Sequence, residues 1–267
     1  MSEEQYPDNF VAGLEWIWGE GFLSPGGPDE VRELLKGVSL HGKTVLDIGC
    51  GLGAIDLMLV SEFGAASVVA IDVEEKLLVR AAQIIEEAGM SERIRLQLVE
   101  PGPLPFPDES FDVVFSKDAI IHIPDKKTLY EDVYRVLAAG GLFVASDWLY
   151  GGMAVPSDEM KFWLEIVHLN FNLLSPENCR ELLENTEFEN VEVRNRNAWY
   201  RQEVINEIAA VTGENRKGLE DKVGEEVSRH RLESSRAKQK VLESGELCPC
   251  HMHALKPTGT PVSGKDV

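Results

Sequence analysis

Three glycines at alternate positions, Gly49, Gly51 and Gly53, follow directly on the apolar run Thr44-Val-Leu-Asp-Ile48. Glycine tolerates the backbone angles and close approaches that a loop needs to fold against a ligand. The next stretch, Ala54 to Glu62, has helical character. A helix N-terminus beside such a loop offers unpaired N–H groups to polar ligand atoms. Asp47 sits at the end of the first run, and Asp72 closes the next one, Val68-Val-Ala-Ile-Asp72. An acid at the end of the second strand of a Rossmann-like sheet accepts hydrogen bonds from ribose hydroxyls. Together these residues suit a ligand that carries a nucleoside. The G-x-G-x-x-G loop of dinucleotide enzymes is related, but Gly49-Cys-Gly-Leu-Gly-Ala54 matches its spacing poorly.

A second group lies in Ser116-Lys-Asp-Ala-Ile-Ile-His122, after the apolar run Phe111-Asp-Val-Val. Its place at the carboxyl end of a fourth strand is where ligands bind in open α/β sheets. His122 is either a base or proton relay there, or a packed histidine satisfied by a backbone carbonyl. Asp112 reads as structural. The aromatic and methionine-rich stretch with Trp148, Tyr150, Met153, Met160, Phe162, Trp163 and Phe171 packs a cap against the sheet, or lends a few rings to a cationic group through cation–π contact. His168 reads as a packing or surface histidine. Cys248-Pro-Cys250-His251-Met-His253 resembles a metal cluster on composition. Its alternation fits a final strand with side chains on opposite faces, and no second ligand pair accompanies it. No metal is expected.

These residues need a scaffold, and the chain supplies an alternating pattern. Strands are expected at Thr44–Ile48, Ser67–Asp72, Ile94–Leu98, Phe111–Ser116 and Gly141–Asp147, with helices at Ala54–Glu62, Glu74–Ala88 and Lys126–Leu137. Gly140-Gly141 reads as the stop of the last helix. Such alternation implies a mostly parallel sheet with helices on both faces. Residues 1–42 form a helical lid, with helices at Asn9 to Trp18 and Asp29 to Lys36 and Asp29 as a plausible cap. Residues 43–147 form the core and 148–245 a helical cap containing one strand, Val191–Arg196. Residues 246–257 close the sheet as an antiparallel strand, and 258–267 form a disordered tail.

With 267 residues and 43% hydrophobic content the chain can bury a real core. A formal charge of −20 opposes a phosphate backbone, so no nucleic-acid partner is expected. The acidity reads as a solubility device, or as a field attracting a cationic ligand. No apolar segment is long enough for a membrane span. Met1-Ser-Glu-Glu-Gln-Tyr6 lacks signal-peptide features, so a cytoplasmic location is the default expectation.

The D-x-G-C-G-x-G form at Asp47–Gly53 resembles the S-adenosylmethionine loop of class I methyltransferases. More specific segments resemble the phosphoethanolamine N-methyltransferases. These are Gln5-Tyr6-Pro-Asp-Asn-Phe-Val, Trp16-Ile-Trp-Gly19, Phe22-Leu-Ser-Pro-Gly-Gly27, Val45 to Gly53 and Ser116 to His122, in that order. The resemblance implies a Rossmann-like fold whose last strand is antiparallel, with S-adenosylmethionine as cofactor. It implies that Tyr6 and His122 latch over the cofactor and that Asp118 orients the acceptor amine or a water. It further implies a cofactor site lined by Gln5, Tyr6, Leu23, Ser24, Asp47, Gly49, Cys50, Gly51, Asp72, Val73, Glu100, Pro101, Ser116 and Lys117. Glu100 stands where another acid usually contacts the adenine amine.

The cap departs from that family. Its phosphate is gripped by an Arg and a Tyr before the S/T-x-E helix, with further Tyr and Lys groups. Here Leu169 and Phe171 stand at the first two positions, and Trp148 replaces a Tyr. A phosphate dianion needs Arg- or Lys-type partners. The expected acceptor is therefore a small amine, phosphoethanolamine-like or a related one without the phosphate, bound near Trp148, Tyr150, Trp163 and Phe171. S-methylation of a thioether or thiol such as methionine is the alternative, and a noncatalytic sensor of the cofactor is a further one. Monomer and dimer are both compatible with the sequence.

Overall fold

The computed structural model describes residues 6–152, 155–167 and 169–259. Gln5, Met153, His168 and most of the C-terminal tail lie outside the described residues. Two helices come first, α1 (Asp8–Trp18) and α2 (Gly27–Leu34). The alternating part follows as β1 (Thr44–Ile48), α3 (Ala54–Ser61), β2 (Ser67–Asp72), α4 (Glu75–Glu87), β3 (Ile94–Leu98), β4 (Phe111–Lys117), α5 (Lys126–Val136) and β5 (Leu137–Tyr150). Beyond it lie α6 (Asp158–Val167), α7 (Pro176–Asn185), β6 (Glu189–Asn195), α8 (Asn197–Ala210), α9 (Asn215–Val223), α10 (Glu225–Glu243) and β7 (Leu247–Leu255).

The seven strands form one sheet in the order β3-β2-β1-β4-β5-β7-β6. The first five are parallel, and β7 runs antiparallel to both β5 and β6. This is the Rossmann-like arrangement expected from the sequence. The strand order reverses between β1 and β4, so the carboxyl ends of β1, β2 and β4 open a crevice at that switch point. Apolar side chains cover both faces. Leu46, Val114, Phe143 and Ala145 pack beneath α5 and α7, and Val45, Val68, Val113 and Phe115 pack beneath α3 and α4.

Two local expectations are corrected. Gly140-Gly141 does not stop a helix, because α5 ends at Val136 and the chain enters β5 at Leu137 without a loop. The pair forms an irregularity inside β5, with Gly140 at φ +78° donating to the Lys256 carbonyl. A Cβ on Gly141 would lie 2.7 Å from the Ala138 carbonyl oxygen. Asp29 is not a cap. The helix starts two residues earlier, behind Gly26 in a left-handed conformation, and Asp29 sits in its first turn. A carboxylate there favours the helix through the dipole instead.

Ser175 does cap α7, its Oγ accepting from the Asn178 N–H at 3.1 Å. Asp112 is structural, its carboxylate accepting from the Thr44 N–H at 2.8 Å and the Thr44 hydroxyl at 3.1 Å.

The Cys-Pro-Cys-His-Met-His run is β7. Cys248, Cys250 and Met252 face α7 with Cys179. His251 and His253 point the other way, toward α2. Among the described residues no three His, Cys, Asp or Glu side chains converge as metal ligands would.

His251 helps to anchor α2. Its Nε2–H donates to Glu30 Oε1 at 2.7 Å while Nδ1 accepts from Arg194 at 2.9 Å. Arg196 donates twice to the same Glu30 carboxylate, at 2.9 and 2.6 Å. Burial pushes the Glu30 carboxyl up, but these donors outweigh it and hold it below the usual range. The helix beside the lid loop is thus fixed to the far edge of the sheet. Among the described residues no helix is long and apolar enough to cross a membrane.

Candidate active site

A cavity of about 650 Å³ opens at the switch point. Its floor is the glycine loop. Gly49 has φ +81°, and a Cβ there would lie 2.2 Å from the Ala119 Cβ just past β4. Only glycine lets the loop pass so close to the segment that carries the other reacting groups. Gly49 and Cys50 N–H groups both donate to the Ile71 carbonyl, at 2.9 and 3.1 Å, tying the loop to β2.

Asp72 closes the same corner. One carboxylate oxygen accepts from the Gly51 N–H at 2.8 Å, the other from the Glu74 N–H at 3.0 Å. Burial raises its pKa, and those backbone donors partly offset the rise. Each oxygen keeps a second acceptor site, which suits a vicinal diol.

The N-terminal segment reaches this floor through a small apolar cluster of Tyr6, Val11 and Leu23 on Leu52 and Leu77. That packing brings Tyr6 to the end of β4. Its hydroxyl lies 3.3 Å from His122 Nε2, and His122 Nδ1 lies 3.3 Å from the Asn170 carbonyl. A carbonyl only accepts, so Nδ1 carries the hydrogen and Nε2 accepts from Tyr6. Burial lowers the His122 pKa, against the Asn170 bond, and so favours the neutral ring. Burial, with Asp72, Glu74 and Asp118 nearby, raises the Tyr6 pKa far above the usual tyrosine range, which keeps it an O–H donor.

His122 stands on a single turn of tight helix, Ile120–His122. The buried Lys126 ammonium fixes that turn by donating to the Ile120 carbonyl at 2.5 Å and to the Ile123 carbonyl. Burial pushes Lys126 down to about 8. Asp118, two residues before the turn, holds φ +56°. Such a conformation is uncommon for a non-glycine residue, though Asp is among those enriched in it. Its Oδ2 pairs with Lys117 Nζ at 2.8 Å and its Oδ1 accepts from Ser146 at 3.2 Å. Lys117 also donates to the Ser24 hydroxyl at 2.9 Å and the Pro25 carbonyl at 3.1 Å. One lysine therefore joins the loop at Ser24 and Pro25 to the tip of β4.

The cavity brings together Tyr6, Leu23, Ser24, Gly49, Cys50, Gly51, Asp72, Val73, Glu100, Pro101, Lys117, Asp118 and His122 on one side. Trp148, Trp163 and Phe171 wall the other. Three expected residues do not line it. Asp47 is buried behind the loop against Asp56, where among the described residues the two carboxyls lack a cationic partner and Asp47 Oδ1 has no hydrogen bond. Burial pushes Asp47 up to about 7 and Asp56 well above its ordinary value. Ser116 is fully buried and its hydroxyl donates to the Ile48 carbonyl at 2.8 Å, so it holds β1 to β4. Tyr150 turns away and donates to Glu246 at 3.3 Å. Gln5 lies outside the described residues.

Sequence reasoning missed the far wall. Glu207 of α8 and His230, Arg231, Ser234 and Lys238 of α10 all line the cavity. The four on α10 share one face of that helix, Glu207 comes from another helix, and no motif links them. Nothing in the charged stretch 199–245 separates them from solvated neighbours.

Residues 45–141 match the family model described as a methyltransferase domain. Phosphoethanolamine N-methyltransferase 2 of Caenorhabditis elegans is 31% identical over 210 residues, covering 78% of this chain and 47% of that protein. Phosphoethanolamine N-methyltransferase 2 of Haemonchus contortus, solved with phosphomonomethylethanolamine and S-adenosylhomocysteine, superposes with a TM-score of 0.88. It is 26% identical, over 96% of this chain and 59% of that one.

The chain belongs to the class I methyltransferases.

That family's donor is S-adenosylmethionine. The cyclopropane synthase MmaA2 of Mycobacterium tuberculosis, 14% identical with a TM-score of 0.78 over 94% of each chain, shares the fold alone. The chain spans about half the length of the curated relatives it matches. The donor fits this methyltransferase on structural grounds. The Gly49 cradle would be filled by a Cβ, and Asp72 presents spare acceptor sites where a ribose would lie.

Proposed function

We propose that this methyltransferase moves a methyl group from S-adenosylmethionine to the nitrogen of a small amine. The observation that carries this reading is the Tyr6–His122 contact, which spans 116 residues of sequence and closes the lid over the cavity beside Asp118. The donor supplies one thing, an activated methyl on a positively charged sulfur. The remaining work falls to the chain. Asp72 would accept from the ribose, Val73, Glu100 and Pro101 would line the base, and Ser24, Gly49, Cys50, Gly51 and Lys117 would hold the amino-acid end.

An alkylamine is mostly protonated near neutral pH, and its lone pair must be free to attack. Asp118 accepts a hydrogen bond from the ammonium and orients it. The amine's proton passes to the Tyr6 oxygen, directly or through a water, as the Tyr6 hydrogen passes to the Nε2 lone pair of neutral His122 that already accepts from it. As the N–C bond forms the C–S bond breaks and its electron pair stays on sulfur. Tyr6 keeps the imidazole turned toward the site and closes the lid against water. Residues 1–42 act as that lid and 148–245 as the cap that admits the acceptor. The acceptor end, walled by Trp148, Trp163 and Phe171, belongs to a cavity of about 650 Å³, which suits a small molecule.

Calorimetric titration with S-adenosylmethionine, followed by mass detection of methylated products from amines and thioethers, tests the reading. N-methyl product together with S-adenosylhomocysteine is the expected outcome. Product from thioethers alone, or donor binding without any product, contradicts it.

A further inference from the structure

The acceptor end of the cavity carries a charge arrangement that the transfer itself does not require. Among the described residues, the Lys and Arg side chains lining the cavity are Lys117, Arg231 and Lys238. Each already has a partner. Lys117 is tied to Asp118 and the lid loop. Arg231 donates to the Phe10 carbonyl at 3.1 Å and lies 4.5 Å over the Phe10 ring.

Lys238 donates to Glu207 Oε2, and Ser235 donates to Glu207 Oε1 at 2.5 Å. Both members of the pair are nearly sealed, with side chains 13% and 5% exposed. The Lys238 ammonium also sits 5.5 Å from the Trp148 ring and 6.0 Å from Trp18. The aromatic wall is thereby already in contact with an internal cation.

A phosphate dianion needs at least two charge-assisted donors turned toward it. Here the Lys238 charge is already offset by Glu207, so it offers a phosphate little net positive charge unless it leaves the pair, and a buried carboxylate stripped of its partner is strongly unfavourable. Glu207 would then face the phosphate across the same cavity. Leu169 and Phe171 add no donor on the opposite side.

We infer that Glu207 is a specificity-determining residue, which holds Lys238 in an internal pair and sets the acceptor class as non-phosphorylated amines packed on Trp148, Trp163 and Phe171. The inference rests on the amine methyltransferase reading above. Unpaired polar and charged groups reject a mismatched ligand more sharply than any lost apolar contact does.

The test uses the full chain with S-adenosylmethionine and compares N-methylethanolamine with its phosphorylated counterpart, phosphomonomethylethanolamine. The wild type is expected to favour the non-phosphorylated amine in kcat/KM by about tenfold or more. Glu207→Gln frees Lys238 and is expected to narrow that ratio at least tenfold, with donor Kd by calorimetry unchanged. A wild type that prefers the phosphorylated amine overturns the inference whether or not the variant folds. So does a folded E207Q chain with an unaltered ratio. Absence of transfer to every amine despite donor binding overturns the underlying reading instead, and the inference with it.

Discussion

The two ends of the cavity are built in different ways. The donor end is made largely of backbone. N–H groups of Gly49, Cys50, Gly51 and Glu74 lock the loop and Asp72 together. Its tolerance for change is small because a backbone path has no alternative rotamer. The acceptor end is made of side chains, with three aromatic rings from β5, α6 and the loop after α6 and a buried ion pair between α8 and α10. Side chains can be exchanged while the sheet stays as it is. One scaffold can thus keep its donor and change its acceptor.

The sharpest break between the two ends should come at the latch. His122→Ala is expected to lower kcat by roughly 10²- to 10⁴-fold, the range for losing a general base, with donor Kd changed only a few-fold. Steady-state kinetics beside calorimetry reads both. Gly49→Ala should act on the opposite quantity. A left-handed residue whose Cβ would overlap Ala119 carries a strain of about 1–3 kcal/mol, so donor Kd is expected to rise by about tenfold or more. An unchanged Kd would mean that the loop is not the donor's seat.

Trp163→Ala belongs to the acceptor end. It removes one wall of the cavity and is expected to raise the acceptor KM by about tenfold while leaving donor Kd alone. A loss of donor affinity there would dissolve the division between the ends.

The smallest effect concerns the acids behind the loop. Asp47 and Asp56 share a buried site, and burial raises both in the folded chain. A carboxyl whose folded pKa lies above its unfolded value gives stability below the unfolded pKa. That stability is lost as pH rises through the folded one, near 7 for Asp47. Between pH 5 and 7 the loss approaches about 1.4 kcal/mol per pH unit for each proton held. Asp56→Asn leaves Asp47 beside a neutral amide, so thermal melting should fall less steeply over that window than in the wild type. Equal slopes would show that the two carboxyls do not share a proton.

This contrast also decides what could be read from the sequence. The donor end lies in contiguous segments, where glycine spacing and strand-end acids report directly on backbone geometry. Strands β1, β2 and β3 therefore match their expected limits, and Asp72 stands at the carboxyl end of β2. Strand β5 was misjudged because glycines inside a bulge look like glycines that end a helix. Asp47 and Ser116 sit near strand ends like Asp72, yet both side chains turn inward, which depends on how the neighbouring strands and α3 pack. Glu207 and Lys238 are 31 residues apart on separate helices. Their meeting depends on how α8 and α10 pack, which no local pattern records.

The central claim is that an amine loses its proton and gains a methyl beneath a latch formed by Tyr6 and His122. The most direct measurement is single-turnover methyl transfer from isotopically labelled S-adenosylmethionine to an amine panel, run with wild type, Tyr6→Phe and His122→Ala. The expected result is labelled N-methyl amine and S-adenosylhomocysteine in equal amounts from the wild type, a slower turnover for Tyr6→Phe, and near-complete loss for His122→Ala. Transfer at near wild-type rates in both variants would contradict it.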